Sequence, residues 1–560
     1  MIDVAAARRR TGIDRVVLGI GDGSYPGEPD EDVGRGSPYS RGAARFHAFV
    51  AGLGFDGIQL LPQGQTSPGN LSPYDASIFA RDFLSIALGP LVEDGLLAQR
   101  TLAELVGARP PGDRRVHHRY AWSAQVRALD EAYAGAGRLR AEIEAFRAED
   151  EDWLRRRKVP DFERHLFEQF LIHEQHRELR ATLPGLRLYG DLQIGMPPED
   201  VDVLRDLFLP DRRMGAPPSR TNPAGQPWGY PVFDPRRRDE VVTFLHRRIH
   251  RMLRSYDGIR VDHPHGLVCP WVYRDDVAAG ARLYASPDLP ELAPYAIARP
   301  DQLDPRLPRH ADGWVRELDE EQVDRYAALF DVIVGEVRAA GDEVEDVVCE
   351  VLSTLPYPLA RTLARHDLGR FRVVQKLSLD DPGDVYRIER AEPHDWIMLG
   401  NHDTPPIWQL VRTWGATGEL TAQATYLARR LAPQPSAVAA LQQEFLRSPE
   451  RVALAKFADL FVSRARHVVV FFTDLFGFTE DYNVPGTVHA DNWSLRLPAD
   501  FEQLYHERVA LGAALNIPAA LALALEARGL VADETGARLT TALRALAAAL
   551  GTVAAVVPAE

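Results

Sequence analysis

The sequence is poor in cysteine. Only two of its 560 residues are cysteines, Cys269 and Cys349, and they form no Cys-x-x-Cys pair. A disulfide framework of the kind that holds small secreted domains together is therefore not expected. Two isolated thiols are typical of a protein in a reducing compartment, and we predict a cytoplasmic location.

Acidic residues outnumber basic ones, 80 to 65, and long apolar runs are scarce. The formal net charge is -15 at pH 7, and no Lys/Arg-rich tract is long enough to reverse it. Nucleic-acid phosphates would be repelled by such a surface, which excludes a nucleic-acid partner. The most apolar segment, residues 545–557, is shorter than the roughly 20 residues that a membrane-spanning helix needs. We therefore expect no membrane partner, and we interpret this segment as part of a packed final helix.

The sequence does contain eight short apolar, β-branched runs bounded by turn residues. They are residues 14–20, 56–61, 185–191, 256–262, 346–350, 371–376, 396–403 and 467–474. Near-continuous apolar strands are expected where helices cover both faces of a parallel sheet, and amphipathic helical stretches lie between these runs. Eight strands alternating with helices predict an α/β fold, the (β/α)8 TIM barrel.

Long segments interrupt this alternation. We predict a single catalytic barrel over residues 1–560 that carries inserts. One is a helical subdomain at 85–184, another a loop or helical insert at 270–340 after the fourth strand, and a third a helical insert at 410–465 after the seventh. The loops that follow the strands of a barrel lie on its catalytic face, so inserts there would cover or shape a substrate groove.

Carboxylates recur at the ends of the predicted strands. Asp191, Asp262, Glu350 and Asp403 end or follow the third, fourth, fifth and seventh runs. One such residue is usually a helix cap or a loop salt bridge. Four at the same rim are better explained by an active site, because barrel enzymes assemble their chemistry from the ends of several strands.

Several carboxylates around one site indicate glycosyl chemistry. Cleaving an acetal with retention requires a carboxylate nucleophile and a protonated carboxylic acid about 5 to 5.5 Å apart. Arg260 lies two residues before Asp262 on the same strand face and would favour its ionised form. Glu350 follows an apolar run and would face other carboxylates, which favours a protonated acid. Asp403 could hydrogen-bond sugar hydroxyls as the oxocarbenium-like transition state forms.

Ordered motifs from about residue 34 to residue 497 resemble the 4-α-glucanotransferases (amylomaltases, or disproportionating enzymes) of the α-amylase clan. The motifs are, in order, GRGSPYSRGAARFHAFVAGLGFDGIQLLP, NLSPYDASIFA, YGDLQIGM, GAPPSRTNPAGQPWGYPVF, RVDH, CEVLS, GNHDT and NVPGTVHADNWSLRL. Each motif alone is weak evidence, and their common order is what makes the resemblance specific.

The resemblance implies a role for each matching residue. Asp262 would be the nucleophile, Glu350 the acid/base and Asp403 the transition-state stabiliser. The implied substrate-binding residues are Tyr74, Asp191, Gln226, Trp228, Arg260, His263 and His402. The enzyme would transfer a segment of an α-1,4-glucan to the 4-hydroxyl of glucose or of a maltooligosaccharide. No cofactor or metal is implied, because both catalytic groups are side chains.

The chain departs from the family pattern near these residues. Val351, Leu352 and Ser353 stand where the family usually has Asp-Leu-Gly, residues 219–222 replace Asp-x-Phe-Ser, and Thr404 replaces an Asn. The run DHPHGL is also similar to malto-oligosyltrehalose synthases, so an intramolecular isomerase or a transferase with another acceptor stays open. A catalytically silent glucan-binding protein is the remaining alternative.

Overall fold

The computed structural model describes residues 4–220, 222–274, 297–308 and 310–552, so part of the predicted 270–340 insert lies outside the described residues. All eight predicted strands are present in one parallel sheet. Their bounds are Arg15–Ile20 (β1), Gly57–Leu60 (β2), Arg187–Leu192 (β3), Gly258–Val261 (β4), Val347–Cys349 (β5), Phe371–Val373 (β6), Trp396–Met398 (β7) and His467–Phe471 (β8).

The sheet has the strand order β5-β4-β3-β2-β1-β8-β7-β6. Its two edge strands, β5 and β6, follow each other in the chain, so the sheet curls into a nearly closed barrel. The predicted (β/α)8 barrel is confirmed. The last three strands are shorter than predicted. A 3-10 turn over Val374–Lys376 replaces the end of the sixth, the seventh ends at Met398, and a short helix over Phe472–Leu475 replaces the end of the eighth.

Helices surround the barrel, although β6 and β7 are joined without an α-helix. The α-helices in the described residues are Val4–Arg10, Arg41–Gly52, Leu88–Glu93, Gln99–Gly107, His118–Ala134, Arg140–Leu154, Phe162–Thr182, Pro198–Val203, Arg238–Leu253, His265–Val268, Glu320–Ala327, Phe330–Ala340, Tyr357–Arg365, Ile407–Thr417, Glu419–Leu431, Val438–Phe445, Pro449–Val462, Phe472–Leu475, Phe501–Ala510, Ile517–Ala527 and Glu534–Thr552. None of them combines the length and the apolar character that crossing a lipid bilayer requires.

The barrel strands are buried on both faces, as their apolar runs predicted. The strand residues of β2 and β8 are all buried. In the centre of the sheet the Tyr189 ring of β3 lies between Gly57 of β2 and Gly258 of β4. A Cβ atom at Gly258 would come within 2.5 Å of that ring. Glycine at Gly57 and Gly258 therefore leaves room for the Tyr189 ring.

Two small sheets stand on the rim where the strands end. One pairs Gly64–Gln65 with Ser77–Arg81, and the other orders Gln226–Phe233, Phe208–Ala216 and Trp271–Arg274 side by side in antiparallel pairs. Both emerge from loops after barrel strands. They extend the catalytic face and carry residues that the sequence motifs singled out.

The helices between Leu88 and Thr182 share an apolar cluster that is separate from the barrel core. It includes Leu102, Leu129, Phe167 and Phe170. A core of its own supports interpreting this segment as an inserted subdomain. The boundaries of the three inserts and the assignment of 1–560 to one catalytic domain stay predictions.

Candidate active site

The sheet register brings together the carboxylates of three strands. Asp191 of β3 pairs with Arg260 of β4, and Val348 of β5 pairs with Arg260 from the other side. Side chains alternate along a strand, so residues two positions further share the same face. Asp262 and Glu350 therefore project side by side, one layer above the Asp191–Arg260 pair.

Arg260 is the cation around which this cluster is built. Its Nη1 donates to both carboxylate oxygens of Asp191 at 2.7 Å, and its Nη2 lies 2.6 Å from Glu350 Oε2. Asp262 Oδ1 is further away, 3.5 Å from Nη1. The sequence predicted that Arg260 favours the ionised form of Asp262, and its charge does act on Asp262 in this way. The guanidinium is shared, however, and its shortest contacts go to Asp191 and Glu350.

His263 is the nearer cationic partner of Asp262. Its Nδ1 lies 2.9 Å from Asp262 Oδ1 and 3.2 Å from Glu350 Oε2. Burial by itself would lower the pKa of His263, but the charges of Glu350 and Asp262 outweigh it and raise that pKa to about 9. The imidazole is therefore an imidazolium near neutral pH. Its backbone has φ 42°, which turns the chain immediately after β4.

These contacts set the ionisation of Asp262 and Asp191. Burial would raise the pKa of Asp262, yet the charge and hydrogen bond of His263, followed by the charge of Arg260, hold it well below its ordinary value. Burial and the charge of Asp262 raise the pKa of Asp191 despite the Arg260 contacts. Asp262 is thus kept as a carboxylate in a site where it is only 5% exposed, which is what a nucleophile requires.

The surroundings of Glu350 differ from the expectation. The sequence placed an apolar strand and other carboxylates around it, and the structure adds the Arg260 guanidinium and the His263 ring at its Oε2. Glu350 therefore lies within contact distance of both cations of the cluster, in addition to the carboxylate of Asp262.

Aromatic and polar residues form a second wall beside the cluster. Tyr74 donates its hydroxyl hydrogen to Asp191 Oδ2 at 2.9 Å, and its ring stacks on His402 with centroids 5.0 Å apart. His402 Nε2 lies 3.5 Å from Asp403 Oδ2. Asp403 is the most open of the four carboxylates, with its side chain 34% exposed. Through Tyr74, this wall connects His402 and Asp403, which follow β7, with Asp191 of β3.

The three-stranded rim sheet supplies Gln226 and Trp228. The Trp228 indole N–H donates to Gln226 Oε1 at 3.2 Å, and its ring meets that of His263 edge-on, with centroids 4.5 Å apart. A cavity of about 1450 Å³ is lined by both residues and by Asp262, Glu350 and Asp403. All ten predicted site residues therefore lie in or directly beneath one cavity, and their individual roles stay predictions.

The same geometry brings together atoms that could ligate a metal. One ligand atom from each of Asp262, His263 and Glu350 lies within 4.8 Å of the others. These atoms are already paired with one another, and the fixed charge of Arg260 stands 2.6 Å from Glu350. The donor set therefore fits a network of ion pairs better than a cation site.

Other residues in the cavity were not singled out from the sequence. Asn483 donates to Asp403 Oδ1 at 2.6 Å, and Trp493 lies near Tyr74 and His402. Both belong to the NVPGTVHADNWSLRL motif, so the motif held the signal although no residue was chosen from it. Lys376, on the turn after β6, also lines the cavity. It stands in no recognised motif, and the fold alone brings it there.

Thr404, one of the departures from the family pattern, has a local explanation. Its Oγ1 accepts the backbone N–H of Asn401 at 2.9 Å and donates to the Asn401 carbonyl at 3.0 Å. The hydroxyl thus closes the turn that carries His402 and Asp403.

A (β/α)8 barrel that gathers several buried carboxylates at the carboxyl ends of its strands has the arrangement found in the class of enzymes that act on glycosidic bonds. A family model described as 4-alpha-glucanotransferase, glycoside hydrolase family 77, matches residues 29–159 and 155–501. The chain belongs to this family, and the resemblance drawn from the motifs is confirmed.

Individual relatives are more distant. The 4-alpha-glucanotransferase of Aquifex aeolicus is 28% identical over 307 residues, which cover 45% of this chain and 62% of that protein. The enzyme of the same name from Clostridium butyricum is 25% identical over 305 residues, which again cover 45% of this chain and 62% of that protein. The matched part of the chain thus spans about three fifths of the length of these curated relatives.

Solved structures agree in fold over a longer stretch. Amylomaltase from Streptococcus agalactiae in complex with acarbose has a TM-score of 0.67 at 18% identity and covers 95% of this chain and 99% of its own. Amylomaltase from Corynebacterium glutamicum has a TM-score of 0.61 at 18% identity, and the match covers 96% of this chain and 76% of that structure. At this identity the likeness establishes the fold.

Proposed function

We propose that the protein is a 4-α-glucanotransferase that transfers a segment of an α-1,4-glucan to the 4-hydroxyl of glucose or of a maltooligosaccharide. Family membership supports the reaction class. The amylomaltase from Streptococcus agalactiae, similar in fold, was solved with acarbose, which supports an oligosaccharide in the corresponding cavity. The cytoplasmic location expected from the two cysteines is part of this proposal.

The observation that carries the proposal is the closeness of Asp262 and Glu350. One carboxyl oxygen of each lies within 4.8 Å of the other. Retaining enzymes hold their two carboxyl groups about 5 to 5.5 Å apart, whereas inverting enzymes leave roughly 6.5 to 9.5 Å for a water molecule. The spacing therefore favours double displacement through a covalent glycosyl-enzyme.

In this mechanism Asp262 attacks the anomeric carbon of the donor while Glu350 protonates the leaving glycosidic oxygen. The leaving sugar departs, and an acceptor takes its place. Glu350 then removes the proton from the acceptor 4-hydroxyl, which attacks the anomeric carbon and releases Asp262. Asp403 and His402 hold the ring hydroxyls of the reacting unit, and the Arg260 charge balances the cluster throughout.

The test is the chromatographic product profile from maltotriose, with D262N as the matched inactive variant. We expect glucose together with a ladder of longer maltooligosaccharides from the wild type, and no ladder from D262N although it still binds maltotriose. A D262N enzyme with a near-normal rate would refute the mechanism. A non-reducing product would favour the isomerase alternative, and binding without turnover by the wild type would favour a glucan-binding protein.

A further inference from the structure

Two of the departures from the family pattern meet on one wall of the cavity. This wall, called the acceptor-side wall below, consists of Ser219, Arg220, Ser353, Thr354 and Lys376. Ser219 and Arg220 belong to the altered loop 219–222, and Ser353 to the altered run after Glu350. An outer depression of about 320 Å³, lined by Ser219, Arg220 and Thr354, continues the cavity towards solvent.

The wall is held in place by Arg220. Its Nη2 donates to the backbone carbonyl of Lys376 at 2.6 Å and lies 3.1 Å from Oδ2 of the buried Asp384. Its guanidinium also stands over the Tyr386 ring, 5.6 Å from the centroid. The charge of Arg220 is thus matched by Asp384, and its contacts fasten the chain at Ser219 and Arg220 to the turn that carries Lys376.

Lys376 differs from the other cations of the site. Arg260 and His263 contact carboxylates directly, whereas within the described residues no carboxylate oxygen lies within 4.0 Å of Lys376 Nζ and its ammonium has no hydrogen-bond partner. Burial lowers the pKa of Lys376, and the charges of Glu350 and Asp403 act to raise it. A half-buried ammonium without a close counter-ion is costly, and a ligand that supplied one would offset this cost.

The wall that carries Lys376 is taken as the acceptor side because it opens through the outer depression. Glu350 protonates the oxygen that leaves the donor, so the space beyond Glu350, away from Asp262, receives first the leaving sugar and then the acceptor. The charges of both Glu350 and Asp403 reach Lys376.

Lysine is also rare in this chain. Lys158, Lys376 and Lys456 are the three lysines among the 65 Lys and Arg residues of the sequence. Lys158 is exposed and Lys456 is buried. Lys376 is thus the one lysine that faces the cavity, where its compact charge and flexible stem can reach a ligand.

From this placement we infer that the acceptor site selects a sugar that carries a negative charge, with its anionic group paired to Lys376. The inference rests on the proposed transferase activity and specifies its acceptor. A sugar phosphate and a sugar carboxylate share the required chemistry. His263 also lines the cavity, but it already contacts Asp262 and Glu350, which leaves Lys376 to pair with the anion. Asp312 lines the outer depression, so the anion is expected at Lys376 itself and not further out.

The test compares the rates of transfer from a single donor to neutral and anionic acceptors. Transfer from maltotriose is measured with glucose, glucose 6-phosphate and glucuronate as acceptors, in the wild type, K376M, K376R and the exposed control K158M. We expect a kcat/KM for one or both anionic sugars about 10- to 100-fold above that for glucose, the range of a hydrogen bond to a charged group. K376M should remove this preference, K376R should retain part of it, and K158M all of it. The two anionic acceptors distinguish the phosphate from the carboxylate.

A second readout does not depend on turnover. Lys376 should be protected from acetylation by an amine-reactive ester when the preferred anionic sugar is present but not when glucose is, with Lys158 as the internal reference in the same mass spectrum. Transfer to glucose with no preference for either anion, or a preference that survives in K376M, would overturn this inference alone. The absence of any product from maltotriose with every acceptor would overturn the proposed function and this inference with it.

Discussion

Replacing His263 with Asn tests the electrostatic design of the site. Asn tolerates a positive φ better than most residues, so H263N should keep the turn after β4 at φ 42° while removing the imidazolium. The pKa of His263 is raised from 6.5 to about 9 by Glu350 and Asp262. Because the folded state binds the proton more tightly, the resulting stability is fully present below about pH 6.5 and is lost as the pH rises through 9.

The magnitude follows from the size of this difference. A pKa that is about 2.5 units higher in the folded state corresponds to about 3 kcal/mol at 1.36 kcal/mol per unit. The free energy of unfolding of the wild type should therefore fall by up to this amount between pH 6.5 and 9, and that component should be missing in H263N. Urea unfolding of both proteins across this range measures the difference.

Histidine NMR provides an independent measurement on [15N]histidine-labelled protein. The resonance that H263N removes should titrate at about pH 9 in the wild type. A resonance that titrates near 6.5, or parallel losses of stability in the wild type and H263N, would refute the assignment of an imidazolium between Asp262 and Glu350.

The remaining predictions concern the groups around this pair. E350Q should lower the rate of transfer from maltotriose by roughly 10²- to 10⁴-fold, the usual contribution of general acid–base catalysis, as measured by initial rates of glucose release; a loss below tenfold would speak against this role. Y74F removes the hydroxyl that donates to Asp191 at 2.9 Å and should lower kcat/KM by about 10- to 100-fold, because the carboxylate loses a charge-assisted partner. Unchanged kinetics in Y74F would show that Asp191 is held by Arg260 alone.

The barrel strands and the carboxylates at their ends could be predicted from the sequence because they depend on local periodicity. Apolar runs bounded by turns predicted each of the eight strands to within a few residues. The carboxylates at their ends predicted which side chains would meet, since parallel strands of a barrel bring their carboxyl ends to one rim. Strand ends alone, without the pairing of the strands, predicted the four carboxylates Asp191, Asp262, Glu350 and Asp403.

Tertiary structure alone decided how those groups are paired. Arg260 does act on Asp262, as the sequence predicted, but the register of β3, β4 and β5 places Asp191 and Glu350 closer to its guanidinium. Pairing between strands depends on contacts across long sequence separations, which no local pattern encodes. The electrostatics of Glu350 and the charge on His263 follow from this arrangement.

The same distinction explains Lys376 and Asn483. Lys376 lies in no recognised motif, and Asn483 belongs to one from which no site residue was chosen. The turn after β6 and the loop after β8 bring them to the cavity only once the barrel has curled and the rim loops have packed. What the sequence by itself determined is the barrel and the identity of its strand-end carboxylates. The closure of the sheet decided which cation meets which carboxylate, and it placed the Lys376 ammonium beyond 4.0 Å of every carboxylate in the described part of the chain.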